Sequence, residues 1–202
     1  MPLRYSCFIS YCHGEGELMR RFIDDLLAAL KCYLDPFFDE KIYIDEQRLE
    51  PGYLYNEALA TALCQSVCMI VVYVPKYERH NYCLREFEAM ERIEIRRKQI
   101  MNISRDKGMI FPIILRGAPP EKLRSRRQLI DFSKYTTITP KITRNRKYVE
   151  EIDRTAQAIY AIFQDLRSSG QDVCSNCDEF VLPAEQEVQP WNTTPAEPRY
   201  PR

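Results

Sequence analysis

Val67-Cys-Met-Ile-Val-Val-Tyr-Val74 is the most apolar run in the chain. It carries no charge, and Val, Ile and Tyr fill most of it. Such a continuous run suits a central strand buried on both faces, the kind a parallel sheet requires. Working outward, Lys41-Ile-Tyr-Ile-Asp45 and Tyr5-Ser-Cys-Phe-Ile-Ser-Tyr11 read as strands before it. Met109-Ile-Phe-Pro-Ile-Ile-Leu115 reads as a strand after it, and 136–139 as a short fifth. Helical spacing separates them. Leu18, Met19, Phe22, Ile23, Leu26, Leu27 and Leu30 mark a helix over 17–30, and further helices are predicted over 54–63 and from Tyr82 to near Met101. Val149, Ile152, Ala156, Ile159, Tyr160, Phe163 and Leu166 mark the last. Strands alternating with helices imply an α/β sandwich around a parallel five-stranded sheet. Ligands then bind beyond the carboxyl ends of the strands. That rule points to three loops: 11–16, 45–55 and 75–82, with 75–81 read as loop.

The bulk composition narrows the function. Over 202 residues, 29 Lys and Arg balance 29 Asp and Glu, so direct nucleic-acid binding is not expected. No apolar run reaches the roughly 20 residues that span a bilayer, so no membrane association is expected. Residues 1–11 lack a signal-peptide layout. The eight cysteines are therefore expected as thiols in a reducing, cytoplasmic setting. Residues 168–202 are Pro-rich and acidic with little periodicity. They are expected to be an extended or disordered tail to a 1–167 domain unless they pack back onto it or a neighbour. Cys174-Ser-Asn-Cys177 is half a zinc motif without a partner, so no metal site is expected. The basic segment 116–127 is expected as a solvated face.

Three motifs in order carry a resemblance. Phe8-Ile-Ser-Tyr11 at the end of the first strand, Tyr43-Ile-Asp45 followed by Leu49-Glu-Pro-Gly52, and Tyr82-Cys-Leu-Arg-Glu86 at a helix start resemble the signatures of TIR domains. Tyr82 stands where Trp is common, and Cys12-His13 where NAD-cleaving members often carry a basic residue. No clear counterpart of the third signature, a Phe-Trp near the last helix, is present. The resemblance implies a flavodoxin-like fold and two kinds of function. Some members cleave NAD+ at the nicotinamide–ribose bond, many of them in bacterial antiphage defence. Others are scaffolds acting through TIR–TIR contact, here with a sensor or effector protein as possible partner.

Under the enzymatic reading the resemblance makes Glu86 the catalytic residue. It places Ser10, Tyr11, Cys12, His13, Asp45, Leu54 and Tyr82 at the substrate, with NAD+ as substrate and no cofactor. At about 100° per residue, Cys83, Phe87 and Met90 share the apolar face, while Arg85, Glu88 and Arg92 point away. Glu86 falls on the flank of the apolar stripe. Glu91 lies on the other flank, so the motif, not the geometry, singles out Glu86. One carboxylate suffices for the chemistry. Nicotinamide departs from a cationic pyridinium and needs no general acid, while an anion stabilises the oxocarbenium character of the ribose.

Competing chemistries find less support. A phosphoacceptor Asp45 would need acids at the end of the first strand to hold magnesium, and that strand ends Ser10-Tyr-Cys-His13. A Cys12/His13 nucleophile pair lacks a third, orienting group. His80 reads as a solvated loop residue. A nucleoside-processing transferase is a third class, since it also sets a carboxylate near a ribose.

Overall fold

A computed structural model describes residues 3–13, 16–44, 55–101, 108–135 and 142–191. The elements run β1 (Tyr5–Tyr11), α1 (Glu17–Leu34), β2 (Lys41–Ile44), α2 (Tyr55–Cys64), β3 (Met69–Tyr73), α3 (Asn81–Met101), β4 (Ile110–Ile114), α4 (Glu121–Arg124), β5 (Ile130–Asp131) and α5 (Arg146–Ser168). The sheet order is β2-β1-β3-β4-β5, and every pairing is parallel. This is the flavodoxin-like α/β arrangement. All five residues of β3 are buried, as a strand enclosed between two helical layers must be. α1 packs with α5, and α2 with α3.

Several boundaries differ from those predicted. α1 continues one turn further, because Leu34 still reaches the core. The segment after β3 is a 3-10 turn over Pro75–Arg79, begun by a proline that presets its φ. The fifth strand is Ile130–Asp131. The strand expected at 136–139 lies outside the described residues, as does nearly all of the loop 45–55. Gly117 follows β4 at φ +81°, and a Cβ there would stand 2.6 Å from Pro75 Cγ, so the turn needs glycine on both counts.

The basic segment is a solvated face at Lys122, Arg124 and Arg126, which are exposed, but it is also tethered. Lys122 pairs with Glu91 at 2.6 Å, and Arg127 with Glu91 at 3.2 Å and Glu94 at 2.9 Å. Arg116 donates to the Ser133 carbonyl at 2.9 Å. The Lys122 and Arg127 pairs dock the segment onto α3. Glu94 also accepts from Lys98 and from the Met109 backbone N–H just before β4. Burial alone would raise its pKa, but the Arg127 charge and these donors outweigh it and hold it below its ordinary 4.5. A carboxylate with a depressed folded pKa contributes stability that is complete above its unfolded value and lost as pH falls through the folded one. The urea midpoint is therefore expected to hold steady above about pH 5 and to decline below about pH 4.5, with a shallower decline in Glu94→Gln.

The tail packs back on the domain over 169–191. Val173, Cys174, Cys177 and Leu182 are buried, and Trp191 sits on Phe87 and Tyr77 with ring centroids 4.8 and 5.5 Å away. Arg85, expected to face solvent, is covered instead and donates to the Pro183 carbonyl at 2.7 Å. The reading of Cys174 and Cys177 as two free thiols is corrected too. Cys177 is bonded to Cys64 at the end of α2 with S–S 2.14 Å, whereas Cys174 remains a thiol. Titration of the denatured protein should find six thiols before reduction and eight after it. Reduction should also lower stability by about 2–4 kcal/mol, because the bridge closes a long loop.

Candidate functional site at the beta1–beta3 switch point

In the order β2-β1-β3-β4-β5 the chain changes direction between β1 and β3, and the crevice opens beyond their carboxyl ends. β1 delivers Ser10 and Tyr11 to that edge, with Cys12 next. The turn after β3 delivers Tyr77 and His80, and the first turns of α3 deliver Tyr82, Cys83 and Glu86.

Glu86 is 4% exposed. Ser10 Oγ donates to Glu86 Oε2 at 2.5 Å, a bond across 76 positions of sequence. Ser10 has a single proton, so with that proton on Glu86 its oxygen accepts from Tyr77 Oη at 2.7 Å. Tyr77 too has one hydroxyl proton, and the Cys83 carbonyl, 3.1 Å from Oη, shares it with Ser10. Burial, reinforced by Cys83 and Glu86, pushes the Tyr77 phenol well above its ordinary range, so it stays a donor. The relay Tyr77–Ser10–Glu86 locks the carboxylate's orientation. Glu91, which helix geometry could not separate from Glu86, is placed differently. It is paired with Lys122 and Arg127 on the far side of α3.

Beside the relay lies a second cluster. Cys12 Sγ stands 3.7 Å from Cys83 Sγ, and Cys83 Sγ stands 3.3 Å from His80 Nδ1. The hydrogen bond between the sulfurs, against the opposing effect of burial, holds Cys12 below its ordinary pKa, and Lys76 adds to this. The same bond, with burial and Glu86, pushes Cys83 well above its own. His80 is half-buried, not a solvated loop residue. Burial and the neighbouring His13 lower its pKa, which favours the neutral ring.

The remaining sequence-predicted positions divide. Tyr11 is buried, and its ring centroid lies 4.5 Å from that of the exposed His13. Tyr82 is 40% exposed and meets Tyr55 edge to face at 5.5 Å. Asp45 and Leu54 lie outside the described residues. Sequence reasoning missed Tyr77 and Cys83 and misread His80. The rule locating ligands beyond strand ends had already flagged 75–82, but only folding brings those side chains against β1.

A parallel sheet in this order with a buried carboxylate at its switch point defines a class of flavodoxin-like α/β proteins with a site between β1 and α3. The chain belongs to the TIR domain family, whose model matches residues 7–144. Among solved structures it is similar to the TIR domain of the Toll-related receptor TRR-2 from Hydra magnipapillata. Identity there is 18%, the TM-score is 0.50, and the match covers 81% of this chain and 98% of that one. No curated protein matches the chain. Among the described residues, no helix is long and apolar enough to cross a membrane.

Proposed function

We propose that this TIR domain cleaves NAD+ at the nicotinamide–ribose bond, with Glu86 as the catalytic carboxylate. The observation that carries the reading is the Ser10–Glu86 bond at the β1–β3 switch point, where a buried acidic side chain is held in one orientation by the relay behind it. A preorganised anion stabilises developing positive charge on the ribose without reorganising during the reaction. The pyridinium leaving group needs no proton. Water as acceptor yields ADP-ribose, an adenine nitrogen a cyclic product, and another nucleophile a conjugate or base-exchange product. Tyr11, His13 and Tyr82 rim the substrate under this reading, with Asp45 and Leu54 contributed by the loop after β2. TIR–TIR association completes the site, and the activity serves immune signalling of the antiphage kind, with a separate sensor or effector as partner.

The test is nicotinamide release from NAD+ followed by chromatography across a range of protein concentrations. Turnover per chain should rise with concentration as the assembly forms. No release in any assembled state would overturn the reading.

A second reading rests on the same burial. At 4% exposure, Glu86 could serve structure alone, holding Ser10 and Tyr77 in a non-enzymatic TIR domain that signals by self-association. Under it, substitutions around Gly52 would abolish association, and neither the parent nor Glu86→Gln would release nicotinamide.

A further inference from the structure

Cys12, His80 and Cys83 are brought together from two separate parts of the chain. Their ligand atoms, two Sγ and one imidazole nitrogen, all lie within 4.8 Å of one another. Two packed thiols beside a ring need no such convergence, because a buried Cys behaves as a small hydrophobe. The distances point to something more particular. A tetrahedral zinc ion, with bonds of about 2.3 Å to sulfur and about 2.0 Å to nitrogen, separates two sulfurs by about 3.8 Å and a sulfur from a nitrogen by about 3.5 Å. The observed separations are 3.7 Å for Cys12–Cys83 and 3.3 Å for Cys83–His80. Two edges of the tetrahedron therefore stand at nearly their final length.

The backbone holds these positions. Cys12 directly follows β1, whose register against β3 is fixed through Tyr11↔Val72. His80 and Cys83 straddle the start of α3, and the His80 carbonyl accepts from the Leu84 N–H at 3.1 Å. Cys12 and Cys83 are buried and His80 half-buried, so an ion would be largely shielded while one side stays reachable.

We infer that Cys12, His80 and Cys83 form a zinc site with three protein ligands and a fourth position open to water or an anion. Soft thiolates with an imidazole suit zinc and disfavour magnesium or calcium, which take oxygen ligands. Bound zinc clamps the loop after β1 to the first turn of α3. The inference does not depend on NAD+ cleavage.

The full chain, purified without reductant and shown to carry six thiols, is titrated with zinc by calorimetry and separately with cobalt(II) followed by absorption spectroscopy. One equivalent of zinc should bind and raise the melting temperature. Cobalt should give the sulfur-to-metal charge-transfer band and visible bands of a tetrahedral thiolate site. Cys12→Ser, Cys83→Ser and His80→Ala should each weaken zinc binding by more than about a hundredfold, since even the loss of a group supporting a ligand costs about 10–100-fold. Cys32→Ser and Cys174→Ser should bind as the parent does. Far-ultraviolet circular dichroism checks each variant's fold. If a cysteine variant fails to fold, half-buried His80 decides the question. Sub-stoichiometric binding, a cobalt spectrum without thiolate bands, or full affinity retained in His80→Ala would each overturn the site. Loss of NAD+ turnover without loss of zinc binding would bear on Glu86 alone.

Discussion

Glu86→Gln is expected to lower nicotinamide release by about two to three orders of magnitude, the usual cost of deleting one preorganised electrostatic group. The substitution keeps the side-chain shape, and the Ser10 hydroxyl can still donate to the amide oxygen, so the relay through Tyr77 survives. What it removes is the negative charge that would face the ribose. A matched comparison of kcat, KM and melting temperature separates the two readings of this residue. Under catalysis, kcat falls while the melting temperature moves little. If kcat for the variant equals that of the parent, Glu86 is not the catalytic group, and a melting temperature that falls alone assigns it to structure.

Arg97→Met is expected to cost about 3–5 kcal/mol of stability, since each buried acceptor left without a donor costs about 1–3 kcal/mol and such costs are not additive. Arg97 is fully buried in α3. Its guanidinium donates to the carbonyls of Cys64 at 2.7 Å, Ser66 at 2.8 Å and Val67 at 3.2 Å, around the turn joining α2 to β3. Burial pulls its pKa down to about 10, which still leaves it protonated at neutral pH. Methionine fills much of the volume and spares the desolvation of a charge, but it leaves all three carbonyls without this donor. The loss would consume much of a domain's usual total of about 5–15 kcal/mol. Arg97→Lys should recover less than half, because an ammonium group cannot reproduce a planar fork reaching several acceptors. Urea unfolding with an unchanged slope is the measurement. A shift under about 1 kcal/mol would mean that other donors take over these carbonyls.

Arg97 also shows where sequence legibility ends. Nothing in Arg96-Arg97-Lys98 distinguishes the middle residue as buried, and a run of cations reads as a solvated face. Its burial follows from the direction α3 takes past the α2–β3 turn. The tail is similar. Pro-rich, acidic and aperiodic, it reads as unfolded in isolation, yet Trp191 and the bridge from Cys177 to Cys64 anchor it over 169–191. A few apolar side chains that find pockets on a formed domain leave no periodic trace, and a disulfide partner 113 positions away leaves none either.

What the sequence determined by itself was the architecture and where a candidate site would lie on it. Val67–Val74 announces a strand covered on both faces, the alternation of periods announces a parallel sheet, and the Tyr82–Glu86 motif sits after that strand, where the crevice opens. These are local properties, set by side-chain volume, polarity and spacing along one stretch of backbone. Tertiary structure alone decided the partners: Ser10 with Glu86, Tyr77 behind Ser10, and Cys12 against Cys83 and His80. Each of these contacts joins β1, or Cys12 directly after it, to a segment nearly 70 or more positions away. A hydrogen bond or a ligand set of that kind depends on the register of β1 against β3 and on the angle at which α3 leaves the sheet, neither of which is written in any single stretch of residues.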